Sequence, residues 1–300
     1  MDIVNENKRI IPFVKMHGAG NDYIYINALE SCPDNLSQLA VEISDRHFGV
    51  GSDGLIAILP PDSADADFRM EMYNADGSRG KMCGNASRCI AKYLIHYGLT
   101  DKKVIRLATD AGVKFLYPRL NREGEVTEVT VDMGTPEFCP ERIPVRNEET
   151  TEGGCARVIL RASSGEAFSA MAVSMGNPHA VIVLDGDEEI TDHLIHNCGK
   201  EFEKNPVFPD SANIEFIKVL SPDNIRMRVW ERGSGETLAC GTGACASVVV
   251  GITQGLLNRS VTVNLLGGDL RIEWNEETGH VMMTGGAEII AEGTYFRKNI

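Results

Sequence analysis

The sequence predicts an α+β protein of two pseudo-symmetric domains, each a mostly antiparallel sheet or barrel wrapped around a central helix. Three observations predict this fold. A set of motifs recurs at a shift of 157 residues, short β-rich segments follow one another with only turns between them, and each half has one long helical segment after a Cys-Gly pair. The chain has 300 residues, which is enough for two domains of ordinary size.

The repeat is visible in the spacing of its anchors. Asn21 precedes Cys83 by 62 positions, and Asn177 precedes Cys240 by 63. Between these anchors, the run RMEMYN of the first half aligns with RMRVWE of the second. Glycine-rich turns recur in many α/β proteins, so the preserved spacing is what indicates a duplication.

Alternation of apolar and polar residues predicts strands in both halves. The predicted strands are 22–27, 55–59, 68–73, 113–117, 126–133, 170–175, 180–184, 214–219 and 225–230. One helix is predicted from Gly84 to a stop at Gly98, and its counterpart, apolar on nearly every side and therefore buried, from Gly241 to Gly255. We expect residues 1–126 with 287–300 to form the N-terminal half, and residues 127–286 to form the C-terminal half.

Composition and charge narrow the choice of partner. The formal net charge of −14 disfavours sequence-independent binding of nucleic acid or of an anionic membrane surface, so we expect a small-molecule partner. The longest apolar run, 244–252, is too short to span a membrane. Residues 1–10 lack the apolar core of a secretory signal, so we expect a frayed leader and a cytoplasmic protein with reduced thiols. The sequence leaves open whether the chain forms a homodimer.

Two of the eight cysteines stand where reactive thiols are expected. Cys83 and Cys240 each precede a predicted helix, whose dipole and unpaired N–H groups favour a thiolate and lower the pKa of the thiol. If the halves pack about a pseudo-twofold axis, one thiol can remove a proton from a carbon while the other returns one to the opposite face. The helix-start N–H groups would bind a carboxylate. The remaining cysteines, 32, 89, 139, 155, 198 and 245, are expected to be buried, and their spacing favours no metal site.

Around these positions lie longer motifs that resemble the diaminopimelate epimerase family. They are KMHGAGND (15–22), GVGSDG (49–54), YNADGS (73–78), MCGN (82–85), GNPH (176–179), ERGSGET (231–237) and ACGTGAC (239–245). The resemblance runs nearly end to end. It implies interconversion of the L,L and meso forms of 2,6-diaminopimelate, on the route to lysine and peptidoglycan, with neither pyridoxal phosphate nor a metal.

The resemblance also implies a role for each matching residue. Cys83 and Cys240 match the two acid/base thiols, and the backbone donors to the reacting carboxylate match Gly84, Asn85, Gly241 and Thr242. The polar groups around the second amino-acid end of the substrate match Asn21, Asn74, Asn177, Asn213, Glu231 and Arg232. These residue types suit that task, because asparagine and arginine donate to carboxylates and glutamate accepts from ammonium. Ala86 stands where the family commonly has glycine, and a helical position would favour alanine.

Three other interpretations compete with the epimerase. One is a racemase for another amino acid such as histidine. Another is a thiol redox or sensor protein in which Cys83 and Cys240 form a disulfide. A Cys-His hydrolase built on His179 would leave the second cysteine without a role, so His17 and His179 are interpreted as turn or cleft residues.

Overall fold

A computed structural model describes residues 10–146, 149–151 and 154–297. The chain forms two compact units: one contains the described residues up to Val131 and from Gly285 onward, and the other runs from Asp132 to Thr284. The predicted division at 126/127 and 286/287 stays a prediction. Most of the predicted leader lies outside the described residues, and its last residue, Ile10, already begins a strand.

The first unit is built on a mostly antiparallel sheet. Its elements are β1 (Ile10–Gly18), β2 (Asn21–Asn27), α1 (Leu36–Ser44), β3 (Gly54–Leu59), β4 (Phe68–Asn74), β5 (Arg79–Gly80), α2 (Gly84–His96), β6 (Ile105–Thr109), β7 (Gly112–Leu120) and β8 (Val126–Asp132), with the late strand β19 (Glu288–Phe296). Neighbouring strands run in the order β19, β1, β2, β3, β4, β6, β7, β8. The pairs β2/β3 and β4/β6 are parallel, and the others are antiparallel.

The second unit repeats that order. Its elements are β9 (Glu149–Thr150), β10 (Ala156–Arg161), β11 (Ala167–Ser174), β12 (Pro178–Val183), a π-helical turn (Leu194–Gly199) that continues into α3 (Lys200–Glu203), β13 (Asn213–Ser221), β14 (Asn224–Glu231), β15 (Gly235–Glu236), α4 (Gly241–Thr253), β16 (Ser260–Leu265), β17 (Gly268–Trp274) and β18 (Val281–Gly285). The order is β10, β11, β12, β13, β14, β16, β17, β18, again with two parallel pairs, β12/β13 and β14/β16. Matching strand orders confirm the predicted α+β fold of two similar halves.

The two predicted helices are present and have the same length. Helices α2 and α4 each contain 13 residues and end shortly before a glycine of positive φ, Gly98 and Gly255 respectively. Only glycine adopts this left-handed backbone without a steric cost, which explains both stops. Helix α4 is buried on nearly every side, as its composition predicts. Ala86 is buried inside α2, so this position is helical as expected.

Each half also contains helical structure that the sequence pattern did not reveal. Helix α1 has Asn35 as its N-cap, whose side chain accepts a hydrogen bond from the Gln38 N–H. The corresponding region of the second half holds the π-helical turn and α3. The prediction of one core helix per domain was therefore incomplete. Helix α1 spans nine residues and α3 only four, too few to show a clear helical period.

Candidate active site

In the first unit, Cys83 lies immediately before α2. Its backbone is extended (φ −134°, ψ 121°), and its carbonyl accepts the first hydrogen bond of the helix from the Ser87 N–H at 2.9 Å. The Ser87 hydroxyl donates to the same carbonyl at 3.0 Å. The amides of Gly84 and Asn85 precede the residues that have an intrahelical acceptor, so the thiol stands at the positive end of the helix dipole.

Asn21 connects the Cys83 thiol to a carboxylate. Its Oδ1 accepts from the Cys83 Sγ at 3.3 Å and from the Asn85 Nδ2 at 3.5 Å, and its Nδ2 donates to Asp53 Oδ2 at 2.9 Å. Burial, with a contribution from the neighbouring Asp22 charge, raises the pKa of Asp53. The guanidinium of Arg46, on the solvent side, contacts the Asp53 carboxylate at 3.0 Å. The network therefore runs from the thiol to the surface.

The tight turn before Asn21 explains its placement. Ala19 and Gly20 both have positive φ, 54° and 81°, as a two-residue hairpin turn requires, and Gly18 pairs with Asn21 across β1 and β2. Asn74, the other polar candidate of this unit, is held differently. It ends β4 and donates from Nδ2 to the Ser78 hydroxyl at 2.9 Å, within its own turn. Asn21, Cys83 and Asn85 are thus joined by hydrogen bonds, whereas Asn74 is anchored to the turn.

In the second unit, Cys240 lies immediately before α4 in a similar extended conformation (φ −115°, ψ 109°). Its Sγ lies 3.5 Å from the Thr242 hydroxyl. Burial raises the pKa of Cys240 well above its usual value, and the charges of Glu231 and Glu215 raise it further. The expectation that the helix start lowers the pKa is therefore wrong for Cys240, because desolvation and two carboxylates outweigh the helix dipole.

Glu231, at the end of β14, is held by its neighbours. It accepts a hydrogen bond from the Thr237 hydroxyl, and burial raises the pKa of its carboxyl group. The next residue, Arg232, donates from its backbone N–H to Asn213 Oδ1 at 2.8 Å and from its guanidinium to the Asp210 carbonyl at 2.9 Å. The Asn213 Nδ2 donates to the Pro178 carbonyl at 3.1 Å. These bonds fix the turn that carries Glu231 and Arg232.

Behind Cys240 lies a buried pair that the sequence analysis missed. His179 and Glu215 are fully buried, and His179 Nδ1 lies 2.7 Å from Glu215 Oε1. His179 Nε2 lies 3.0 Å from the Oδ1 of Asn177, which is one of the predicted site residues. A signal for Glu215 was present in the sequence. It interrupts the apolar strand 214–217 (IEFI), and a carboxylate in a buried strand needs a partner.

The close approach of this pair to α4 explains why position 243 is a glycine. A Cβ added at Gly243 would lie 2.7 Å from Glu215 Oε1 and 3.3 Å from the Cys240 Sγ. Even alanine at this position would therefore collide with the carboxylate. Glycine lets the first turn of α4 pack directly on Glu215, which keeps the carboxylate near the thiol.

The other cysteines divide into two groups. Cys89, Cys155, Cys198 and Cys245 are buried, as predicted. Cys32 is exposed and Cys139 is only partly buried, so the prediction of burial is wrong for these two. Both lie outside the helices and named strands.

Comparison with known proteins identifies the family. The family model described as diaminopimelate epimerase matches residues 13–139 and 171–290. A diaminopimelate epimerase of Desulfovibrio desulfuricans is 50% identical over 286 residues, covering 95% of this chain and 98% of its own length. One from Acetivibrio thermocellus is 48% identical, covering 94% and 97%. The chain belongs to the diaminopimelate epimerase family.

Solved structures extend the likeness to the fold. A hydroxyproline epimerase from Agrobacterium vitis, solved with bound trans-4-hydroxy-L-proline, superimposes with a TM-score of 0.69 at 16% identity, covering 96% of this chain and 93% of that one. A methylitaconate-delta-isomerase gives 0.64 at 14% identity, covering 95% of each chain. As a member of the diaminopimelate epimerase family, the chain is an enzyme of the isomerase class.

Among the described residues, no helix combines the length and apolar character needed to cross a bilayer.

Proposed function

We propose that this enzyme interconverts L,L- and meso-2,6-diaminopimelate by a two-cysteine acid/base mechanism, as a step of lysine and peptidoglycan biosynthesis. The observation that carries the proposal is the same in both units. Each places a thiol directly before its core helix, in contact with a polar side chain: Asn21 Oδ1 at 3.3 Å for Cys83 and the Thr242 hydroxyl at 3.5 Å for Cys240. The choice of substrate rests on relatives that are named diaminopimelate epimerase and are about half identical over nearly the whole chain.

The proposed reaction needs only proton transfers. One cysteine, as thiolate, takes the α-proton and becomes a thiol, and the electron pair stays on the carbon as a carbanion conjugated with the carboxylate. The other thiol then gives its proton to the opposite face and becomes a thiolate, so the carbon is inverted and the net charge is unchanged. The N–H groups of Gly84, Asn85, Gly241 and Thr242 would hold the α-carboxylate and stabilise its developing charge. No pyridoxal phosphate or metal takes part in this scheme.

The environment of Cys240 suggests its role in the resting enzyme. Because burial and the charges of Glu231 and Glu215 raise the pKa of Cys240, its thiol is held protonated and is ready to donate. Cys83 would then be the base for the first proton. In the reverse direction the two cysteines exchange these roles.

The remaining predicted residues would recognise the non-reacting end of the substrate. That end carries a carboxylate and an ammonium group, which match the amides of Asn21, Asn74, Asn177 and Asn213, the guanidinium of Arg232 and the carboxylate of Glu231. We also propose a cytoplasmic location, where a thiol-dependent biosynthetic enzyme meets its small amino-acid substrate in reducing conditions. A homodimer is the assembly to test, by light scattering of the purified protein.

Reaction in deuterium oxide tests the mechanism. With L,L-diaminopimelate as substrate, the meso product should carry solvent deuterium at the inverted carbon, while the remaining L,L substrate stays unlabelled early in the reaction. This asymmetry is expected because one thiol removes protium and the other supplies deuterium. Inversion without label in the product would contradict the proposal. Histidine and proline serve as chiral controls, and faster turnover of either would favour the rival racemase.

A further inference from the structure

Three side chains with metal-binding atoms meet on elements of the second unit that carry none of the proposed site residues. Glu166 lies in the turn between β10 and β11, His193 comes directly before the π-helical turn, and Cys198 lies within that turn. His193 Nε2 is 3.1 Å from Glu166 Oε2, and the Cys198 Sγ is 3.8 Å from the same oxygen and 3.9 Å from His193 Nε2. Their ligand atoms all lie within 4.8 Å of one another.

The π-helical turn is what brings His193 and Cys198 together. In an α-helix, residues five apart point about 140° away from each other, because each residue advances the helix by about 100°. A π-turn, closed by i to i+5 hydrogen bonds, returns the fifth residue to the same side. His193 and Cys198 are five apart, and His193 already has helical backbone angles (φ −59°, ψ −46°). The local conformation therefore produces the pair of donors.

The distances match those of a tetrahedral zinc site. With bonds of about 2.0–2.3 Å, tetrahedral Zn²⁺ separates its neighbouring donors by about 3.3–3.8 Å. The three observed separations, from 3.1 to 3.9 Å, would need to change by only a few tenths of an ångström. The Ser164 hydroxyl donates to Glu166 Oε2, which orients the carboxylate from outside the cluster.

The cluster is open to solvent on one side. His193 and Glu166 are 48% and 39% exposed, so a solvated ion can reach the cluster from the surface while the sulfur lies beneath.

We propose that Glu166, His193 and Cys198 form a Zn²⁺ site with a solvent molecule as the fourth ligand. Binding joins one Zn–S, one Zn–N and one Zn–O bond and releases the Cys198 proton to solvent, with no change of oxidation state. The ion would tie the β10/β11 turn to the segment 193–203. That segment ends at Glu203, whose carboxylate accepts from the Trp230 Nε1 and the Gly233 N–H at 2.9 Å each. The site would thus brace the turn that carries Glu231 and Arg232.

Titration of the metal-free enzyme with Co²⁺ tests the proposal. Tetrahedral Co²⁺ bound to a thiolate gives visible d–d bands and a sulfur-to-metal charge-transfer band, which Zn²⁺ should then displace. We expect one Co²⁺ per chain and a rise in melting temperature with Zn²⁺. His193→Gln, at an exposed position, should weaken binding at least tenfold, and Cys198→Ser should abolish the charge-transfer band.

Matched variants separate this site from the other thiols. Cys139→Ser is the control, because the Cys139 Sγ also contacts a carboxylate, that of Glu141, at 2.9 Å. It should leave binding unchanged, as should the pair Cys83→Ala and Cys240→Ala. Unchanged binding in both His193→Gln and Cys198→Ser would overturn the proposal, as would the absence of a charge-transfer band in the unmodified enzyme. Circular dichroism verifies that each variant is folded. If Cys198→Ser does not fold, His193→Gln still tests the proposal, because its position is exposed.

Discussion

The two thiol environments differ although the strand order around them is the same. Cys83 is partly exposed and donates to the amide oxygen of Asn21, which carries no net charge. Cys240 is buried, and the negative charges of Glu231 and Glu215 raise the pKa of its thiol. A carboxylate holds a proton on sulfur far more strongly than an amide does. The duplicated fold thus sets where each thiol stands, and the carboxylates near Cys240 give its thiol a charged environment that Asn21 does not give Cys83.

The side chains behind the two thiols also differ in their exposure to solvent. Behind Cys83, Asn21 leads to Asp53 and then to Arg46, whose side chain is 58% exposed. Behind Cys240, His179 and Glu215 are both sealed from solvent. Cys83 is itself partly exposed, so its thiol can exchange a proton with water directly, whereas Cys240 is buried.

Removal of either thiol should have the largest effect. Cys83→Ala and Cys240→Ala should each lower kcat by about 10²–10⁴-fold or more, because each removes one of the two proposed proton-transfer groups. The measurement is the rate of L,L to meso conversion by chiral chromatography, with circular dichroism to verify folding. Cys32→Ser, at an exposed position, is the control and should retain full activity. A cysteine variant with near-normal turnover would remove that thiol from the mechanism.

Loss of a carboxylate should destabilise the two halves unequally. Glu215→Ala leaves the Nδ1 of the fully buried His179 without its partner, which should lower the free energy of unfolding by about 3–5 kcal/mol. Asp53→Ala removes a carboxylate that is 39% exposed, and the expected loss is about 1–2 kcal/mol, because solvent can replace its hydrogen bonds.

Urea denaturation of both variants measures the difference. If Glu215→Ala does not fold, Glu215→Gln gives a milder test, since the amide oxygen can still accept from His179. Equal losses for the two positions would show that the contrast between a sealed and a solvent-connected network is wrong.

Motif spacing was enough to predict the framework of the site. The Cys-Gly pairs marked both helix starts, and the stops at Gly98 and Gly255 followed from the need for a left-handed residue. Strand ends were less accurate: the strand predicted over 170–175 is observed at Ala167–Ser174. Its first three residues, 167–169, are exposed or only partly buried, so the pattern of buried apolar residues gives no sharp start.

The protonation of Cys240 could not be predicted in the same way. Only the helix dipole follows from sequence position, and it lowers the pKa of a thiol. The opposing effects come from burial, from Glu231 and from Glu215. Glu215 is 25 positions away in the chain and is brought near by the parallel pairing of β12 with β13 and the packing of α4. Such effects depend on tertiary packing, which no local motif encodes.

The smallest expected effect is on the pH dependence of Cys240 reactivity, which tests the contrast between the two thiol environments. The negative charge of Glu231 raises the pKa of this thiol, so Glu231→Gln should lower it. The thiolate then forms at lower pH, and the pH midpoint for alkylation of Cys240 by iodoacetamide should move downward, as measured by mass spectrometry of its peptide. Glu236→Gln is the matched control, since Glu236 binds Arg228 at 2.7 Å and is not among the groups that shift Cys240. An upward or unchanged midpoint in Glu231→Gln would show that the carboxylate does not hold the proton on Cys240, and the resting acid would have to be sought at Cys83.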